Sequence, residues 1–78
     1  MEEFYAKMRD RGRLDRFLEA LSDGEWHNVP ELCKSLNISE NLMHELIDSF
    51  VRIGLMEYDK DLKRVRAEKD FAALLRET

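Results

Sequence analysis

The segment Ser39 to Leu55, SENLMHELIDSFVRIGL, holds most of the side chains whose types and spacing could do chemistry. Read as a helix, it sets Glu40, Asn41, His44, Glu45 and Asp48 along one polar side, because residues three and four apart share a helical face. An amide, an imidazole and three carboxylates gathered this way are hydrogen-bonding groups turned toward a partner. Other chemistries are poorly served. His44 and Asp48 stand four apart, but neither they nor His27 sit with Cys, Asp or Glu at metal-ligand spacing. Cys33 is the single cysteine, which excludes an intrachain disulfide and a Cys-based zinc cage. It falls on the inward stripe of its own helix and reads as packing rather than as a nucleophile. Glu57 and Asp59 read as an exposed, unpaired pair of acids. No Gly-rich phosphate loop and no Ser, His and Asp arrangement is visible, and the chain is too short to enclose a substrate pocket. The expectation is a protein that is not an enzyme and takes no metal or cofactor.

The composition sets the frame for those residues. Seventy-eight residues, 44% hydrophobic and 38% charged, with three Gly and one Pro, describe one folded, helix-rich domain with a small core. No apolar run reaches the roughly 20 residues needed to span a bilayer, and Met1 leads into Glu2 and Glu3 rather than a basic then apolar leader. With a lone cysteine, this reads as cytoplasmic, with no membrane partner. The net charge is −4, so attraction to a polyanion has to come from a local patch.

Hydrophobic spacing supplies the elements. Leu14, Phe17, Leu18 and Leu21 fall at i, i+3, i+4 and i+7, predicting a first helix over residues 13–22 that stops at Ser22-Asp23-Gly24. Phe4, Tyr5 and Met8 lie out of phase with that face and mark residues 2–11 as an N-terminal arm. Glu25-Trp26-His27 is a short extended link, too short for a strand stable on its own. Trp26 reads as a lid over the core or, if exposed, as a docking point. Asn28-Val29-Pro30-Glu31 then combines an N-cap, a proline in the first turn and a Glu three residues after the cap. The second helix runs to Leu36 with Leu32, Cys33 and Leu36 inward, and Asn37-Ile38 turns the chain. Ser39 caps the third helix, residues 39–54, whose predicted apolar stripe is Leu42, Leu46, Ile47, Phe50 and Ile53, ending at Gly54. Beyond Gly54 the period drops to two. Met56 and Tyr58, then Val65 and Ala67, alternate with charged residues around Asp59 to Lys63, predicting a β-hairpin over residues 56–67. Phe71, Leu74 and Leu75 restore helical spacing in a C-terminal helix over residues 68–78.

Three helices, a tight turn between the second and third, then a hairpin directly after Gly54-Leu55: this order resembles the winged helix-turn-helix superfamily, in its small prokaryotic and archaeal DNA-binding regulators. The likeness runs from about Arg13 to Ala67. Leu21 to Trp26, Pro30 to Ser39, Leu46 to Phe50 and Ile53 to Met56 carry it. It implies a mainly α fold with a small β-hairpin, a core over residues 13–67, and extra helical segments at either end within a single domain, 1–78. It further implies a DNA-binding regulator of transcription, with the third helix in the major groove and the hairpin wing on the backbone. By position, Ser39, Glu40, Asn41, His44, Glu45 and Asp48 would read bases. Asn41 suits adenine, His44 guanine or a phosphate, and Glu40 or Glu45 the cytosine amino group. Arg11, Arg13, Lys60, Lys63, Arg64 and Arg66 would hold the backbone of double-stranded DNA. A homodimer would double these contacts, and Phe4, Tyr5 and Met8, with or without Phe71, Leu74 and Leu75, offer apolar surface for it.

Charge keeps a second reading open, since the same fold also serves protein docking. Ser35 to Val51 contains three acids and no Lys or Arg, set against a duplex carrying one negative charge per roughly 1.7 Å. The wing carries four bases against three acids, and residues 7–16 five against two. That basic stretch is either a phosphate contact or a solvated helix face. The alternative is a winged-helix interaction module whose acidic third-helix face docks a basic protein.

Overall fold

The computed structural model describes residues 12–77, which form four helices and three strands. Helix α1, residues 12–20, buries Phe17 and, one turn on, Leu21 completely, with Leu14 and Leu18 half-buried beside them, the face that the heptad-like spacing predicts. The chain reverses at Gly24, whose φ of +73° lies in the left-handed region where a side chain is strained.

The extended link does more than connect. His27–Asn28 form strand β1 and pair with Val65 and Arg64. Two residues have no stability as an isolated strand, but the open edge of the hairpin supplies ladder partners. Asn28 also caps α2 (Val29–Leu36), its side-chain oxygen accepting from the Glu31 amide at 3.0 Å, with Pro30 in the first turn. Val29, Leu32, Cys33 and Leu36 face inward. The helix ends at Asn37 in a left-handed conformation, and the Ile38 amide closes on the Cys33 carbonyl at 3.0 Å while the Ile38 side chain is buried. Three residues after α2, Ser39 accepts from the Leu42 amide at 3.2 Å and starts α3 (Glu40–Arg52).

The inward stripe of α3 differs from the predicted one. Met43 is fully buried and Ile47 nearly so, with Leu46 and Phe50 half-buried, whereas Leu42 is 37% and Ile53 67% exposed. Sequence periodicity accommodates either phase. The contact with α1 and the sheet selects Met43-Leu46-Ile47-Phe50, leaving Leu42 at the margin. Ile53 lies past the last helical turn, where Gly54 (φ +83°) lets the Leu55 amide bond back to the Phe50 carbonyl at 2.9 Å.

Strands β2 (Met56–Asp59) and β3 (Arg64–Ala67) form the wing, and the antiparallel sheet has the order β1-β3-β2. Met56 opposes Ala67 and Tyr58 opposes Val65 on the core side; Glu57 opposes Arg66 and Asp59 opposes Arg64 on the outer side. Glu68 then caps α4 (Lys69–Glu77), accepting from the Phe71 amide. Phe71 stacks on Phe50 at a centroid distance of 6.0 Å, and Phe50 meets Phe17 at 6.3 Å, so one aromatic row joins α1, α3 and α4. Such pairs contribute about 0.5–1.5 kcal/mol each beyond area burial. None of the described helices is long and apolar enough to cross a membrane.

Candidate nucleic-acid interface

Burial of Met43 and Ile47 fixes the rotation of α3, and that rotation places Glu40, Asn41, His44, Glu45 and Asp48 in solvent. Asn41, His44, Glu45 and Asp48 are separated by three, one and three residues and line a single face. Ser39 stands at the head of this face with its hydroxyl engaged as the cap. Asp48 is bound to Arg52 one turn on, 2.7 Å from its guanidinium, with both side chains largely exposed. An exposed pair of this kind contributes only about 0.3–0.5 kcal/mol to stability, but it offsets one of the three acids. The His44 ring meets Tyr58 of β2 edge-on at 6.2 Å. Between α3 and β2 lies an open groove of about 420 Å³ lined by His44, Ile47, Val51 and Tyr58, with Glu45 and Asp48 along it.

The wing divides its predicted backbone contacts in two. Lys60 and Lys63 are exposed in the turn, next to Leu62, itself 58% exposed. Arg64 and Arg66 flank fully buried Val65 and therefore lie on the outer side of the sheet, away from the core. There the two acids that read as unpaired find partners: Arg64 Nε donates to Asp59 at 3.1 Å and Arg66 Nε to Glu57 at 2.6 Å. Both guanidinium carbons also lie 4.5 Å from the centroid of the half-buried Trp26 ring. Trp26 thus lies against the outer face of the wing. Sequence reading missed this cluster. The i, i+2 spacing of Arg64 and Arg66 places them on one face, but only the β1–β3 pairing brings Trp26 beside them.

Asp59 organises the turn. Its Oδ1 accepts from the amides of Asp61 at 3.1 Å and Leu62 at 3.2 Å. The Leu62 amide, with Arg64 and the Asp61 amide adding to it, holds its carboxyl below the usual carboxylate range against the opposing effect of desolvation. Asp23 behaves similarly at the other end of the sheet. Desolvation pushes its carboxyl up, but hydrogen bonds from His27 (2.9 Å) and the Glu25 amide outweigh this and the net shift is downward. Burial pushes the Cys33 thiol up, with Glu40 adding to the effect, which suits a packing residue and not a nucleophile.

Among the other predicted contacts, Arg13 is exposed on α1. Its neighbour Arg16 turns inward enough to donate to the Leu36 carbonyl at 3.1 Å, satisfying an end carbonyl of α2. Arg11, and the arm residues Phe4, Tyr5 and Met8, lie outside the described residues. Of the three α4 residues expected at a contact between copies, Phe71 and Leu75 pack against the chain's own core, and Leu74 is 57% exposed. No three His, Cys, Asp or Glu side chains among the described residues are gathered as metal ligands would be.

No family model matches the sequence, and no curated protein matches it. Among solved structures, the chain is similar to the crystal structure of a MarR family transcriptional regulator from Silicibacter pomeroyi, at a TM-score of 0.70 and 24% identity. That likeness covers 97% of this chain and 59% of the other, so the chain spans about three fifths of that protein's length. With α2, a three-residue turn, α3 and the β2–β3 wing in this order, the chain has a winged helix-turn-helix fold.

Proposed function

We infer that this chain is a cytoplasmic DNA-binding regulator of transcription, with α3 in the major groove and the tip of the wing on the adjacent backbone. The observation that carries the reading is the joint exposure of Asn41, His44 and Glu45 on α3, side chains the core does not use, on a fold shared with a protein described as a transcriptional regulator. Asn41 pairs with adenine, His44 donates to guanine or a phosphate, and Glu45 or Glu40 accepts from cytosine. Ser39 and Asp48 lie at the two ends of this reading face, Asp48 with its charge offset by Arg52. Lys60 and Lys63 at the turn hold phosphates, joined by Arg13 of the first helix and by Arg11. Arg64 and Arg66 reach phosphate only where the backbone passes around the outer side of the wing. Two copies paired through the arm and Leu74 set two α3 helices on successive grooves, about 34–36 Å apart.

The test is a titration of a random-sequence duplex by fluorescence anisotropy, from low to physiological salt, with the mass of the protein read by light scattering. Micromolar or tighter binding that weakens steeply with salt supports the reading. No binding at low salt overturns it.

The groove between α3 and β2 favours a second reading, in which α3 docks a basic protein. Its floor is apolar, Glu45 and Asp48 edge it, and Val51 and Ile53 nearby are 38% and 67% exposed. Phosphate has no use for such a surface.

A further inference from the structure

We propose that the hollow between the wing and α4 binds a phosphate-class anion, at a site separate from the α3 face. The hollow measures about 350 Å³. Gly24 and the buried Ala67 and Ala72 form its floor, Arg66, Lys69 and Arg76 stand around it, and Glu57 is the one acid among the described residues that line it. Three cations against one carboxylate make a positive concavity on a chain whose net charge is −4.

The cations come from separate places in the sequence and converge through the fold. Arg66 projects from the outer face of β3, and Lys69 and Arg76, seven residues apart, share one face of α4. Two of them are already held in place. Arg66 is fixed by Glu57 at 2.6 Å and by the Trp26 ring at 4.5 Å. Arg76 donates Nη1 to the Ser22 carbonyl at 3.3 Å. A guanidinium carries five N–H donors, so each anchor leaves donors for a ligand, and ordering the side chains beforehand lowers the entropy lost on binding. The floor is low because its residues are small: a Cβ added at Gly24 would meet the Ala72 Cβ at 3.5 Å. A tetrahedral oxyanion suits this set, accepting from two planar forks and one ammonium, and its multiple charge outcompetes chloride.

Trp26 is the only tryptophan, and it touches Arg66, so its emission reports on the site. The full chain is titrated with inorganic phosphate, and with chloride at equal ionic strength, following Trp26 emission and Tm. The expected result is a saturable change with an apparent Kd of about 1 mM or tighter for phosphate and none for chloride. Lys69→Ala and Arg76→Gln should each weaken it about tenfold, the loss of one charge-assisted hydrogen bond. Lys69 is exposed, so its replacement leaves Tm without ligand unchanged and decides the matter if loss of the Arg76 anchor unfolds the chain. Both proteins are then titrated with duplex. Equal duplex affinity assigns the hollow to a free phosphorylated ligand, and weaker affinity in Lys69→Ala assigns it to a backbone phosphate. A response that does not saturate, that chloride reproduces, or that Lys69→Ala leaves intact overturns the proposal.

Discussion

The Val29 amide donates to the Lys63 carbonyl at 2.9 Å, and this bond fastens the first turn of α2 to the turn of the wing. Lys63 makes it from a left-handed conformation, φ +51°. For a residue with a Cβ, that conformation costs about 1–2 kcal/mol. Lys63→Gly should therefore keep or slightly raise stability, whereas Lys63→Val should lower it by about 1–2 kcal/mol beyond Lys63→Ala. Urea unfolding of the three variants checks this. All three lose the same charge, so equal effects on duplex binding would assign Lys63 a purely electrostatic part there.

The rotation of α3 predicts a contrast between neighbours. Met43→Ala empties a fully buried site and should cost about 2–5 kcal/mol. Leu42→Ala, at a position 37% exposed, should cost less than about 1 kcal/mol. Comparable losses in thermal unfolding would mean that the helix is turned the other way.

Duplex binding should separate the roles within the proposed interface. Lys60→Ala should weaken binding on every sequence and reduce the salt slope by about one, while Asn41→Ala should cost about 1–3 kcal/mol on the preferred site alone. Anisotropy titrations on specific and random duplexes measure both. The double variant Glu45→Lys, Asp48→Lys should strengthen nonspecific duplex binding if the acids repel phosphate, and abolish capture of a basic protein under the docking reading.

Acid should loosen the two ends of the sheet first. Asp23 and Asp59 both titrate below the ordinary value of 3.8 in the folded chain. A depressed carboxyl adds stability that is complete above its unfolded pKa and is lost as pH falls through the folded one. Unfolding midpoints followed downward from about pH 5 should thus fall below 3.8, and Asp59→Asn should flatten that fall while lowering stability at neutral pH. A variant with the parent's full acid dependence would remove Asp59 from this account.

Phe71 and Leu74 stand on one helix but should answer to different measurements. Phe71→Ala breaks the row Phe17–Phe50–Phe71 and should lower stability by about 1–3 kcal/mol. Leu74→Glu should leave stability nearly unchanged and, if α4 lines a contact between copies, shift the mass in light scattering toward the monomer.

Much of the fold is legible from residue types alone, because local signals there agree with one another. Asn28 and Ser39 as caps, Asn37 and Gly54 as helix ends, and the alternation from Met56 to Ala67 each have a cause within a few residues, and all appear where the spacing predicts. The exposed face of α3 follows from the same periodicity. Tertiary structure decided what depends on residues far apart. The inward phase of α3, Met43 rather than Leu42, was set by α1 and the sheet, since both phases satisfy a 3.6-residue repeat. His27 became strand only because β3 offered an edge, and that pairing alone carried Trp26 to Arg64 and Arg66. Formal charge is a property of sequence, but which charges are offset and which stand open is a property of distance. The wing's arginines are held by Glu57 and Asp59 across the hairpin, and Arg66, Lys69 and Arg76 share a hollow only because the sheet and α4 bring them together.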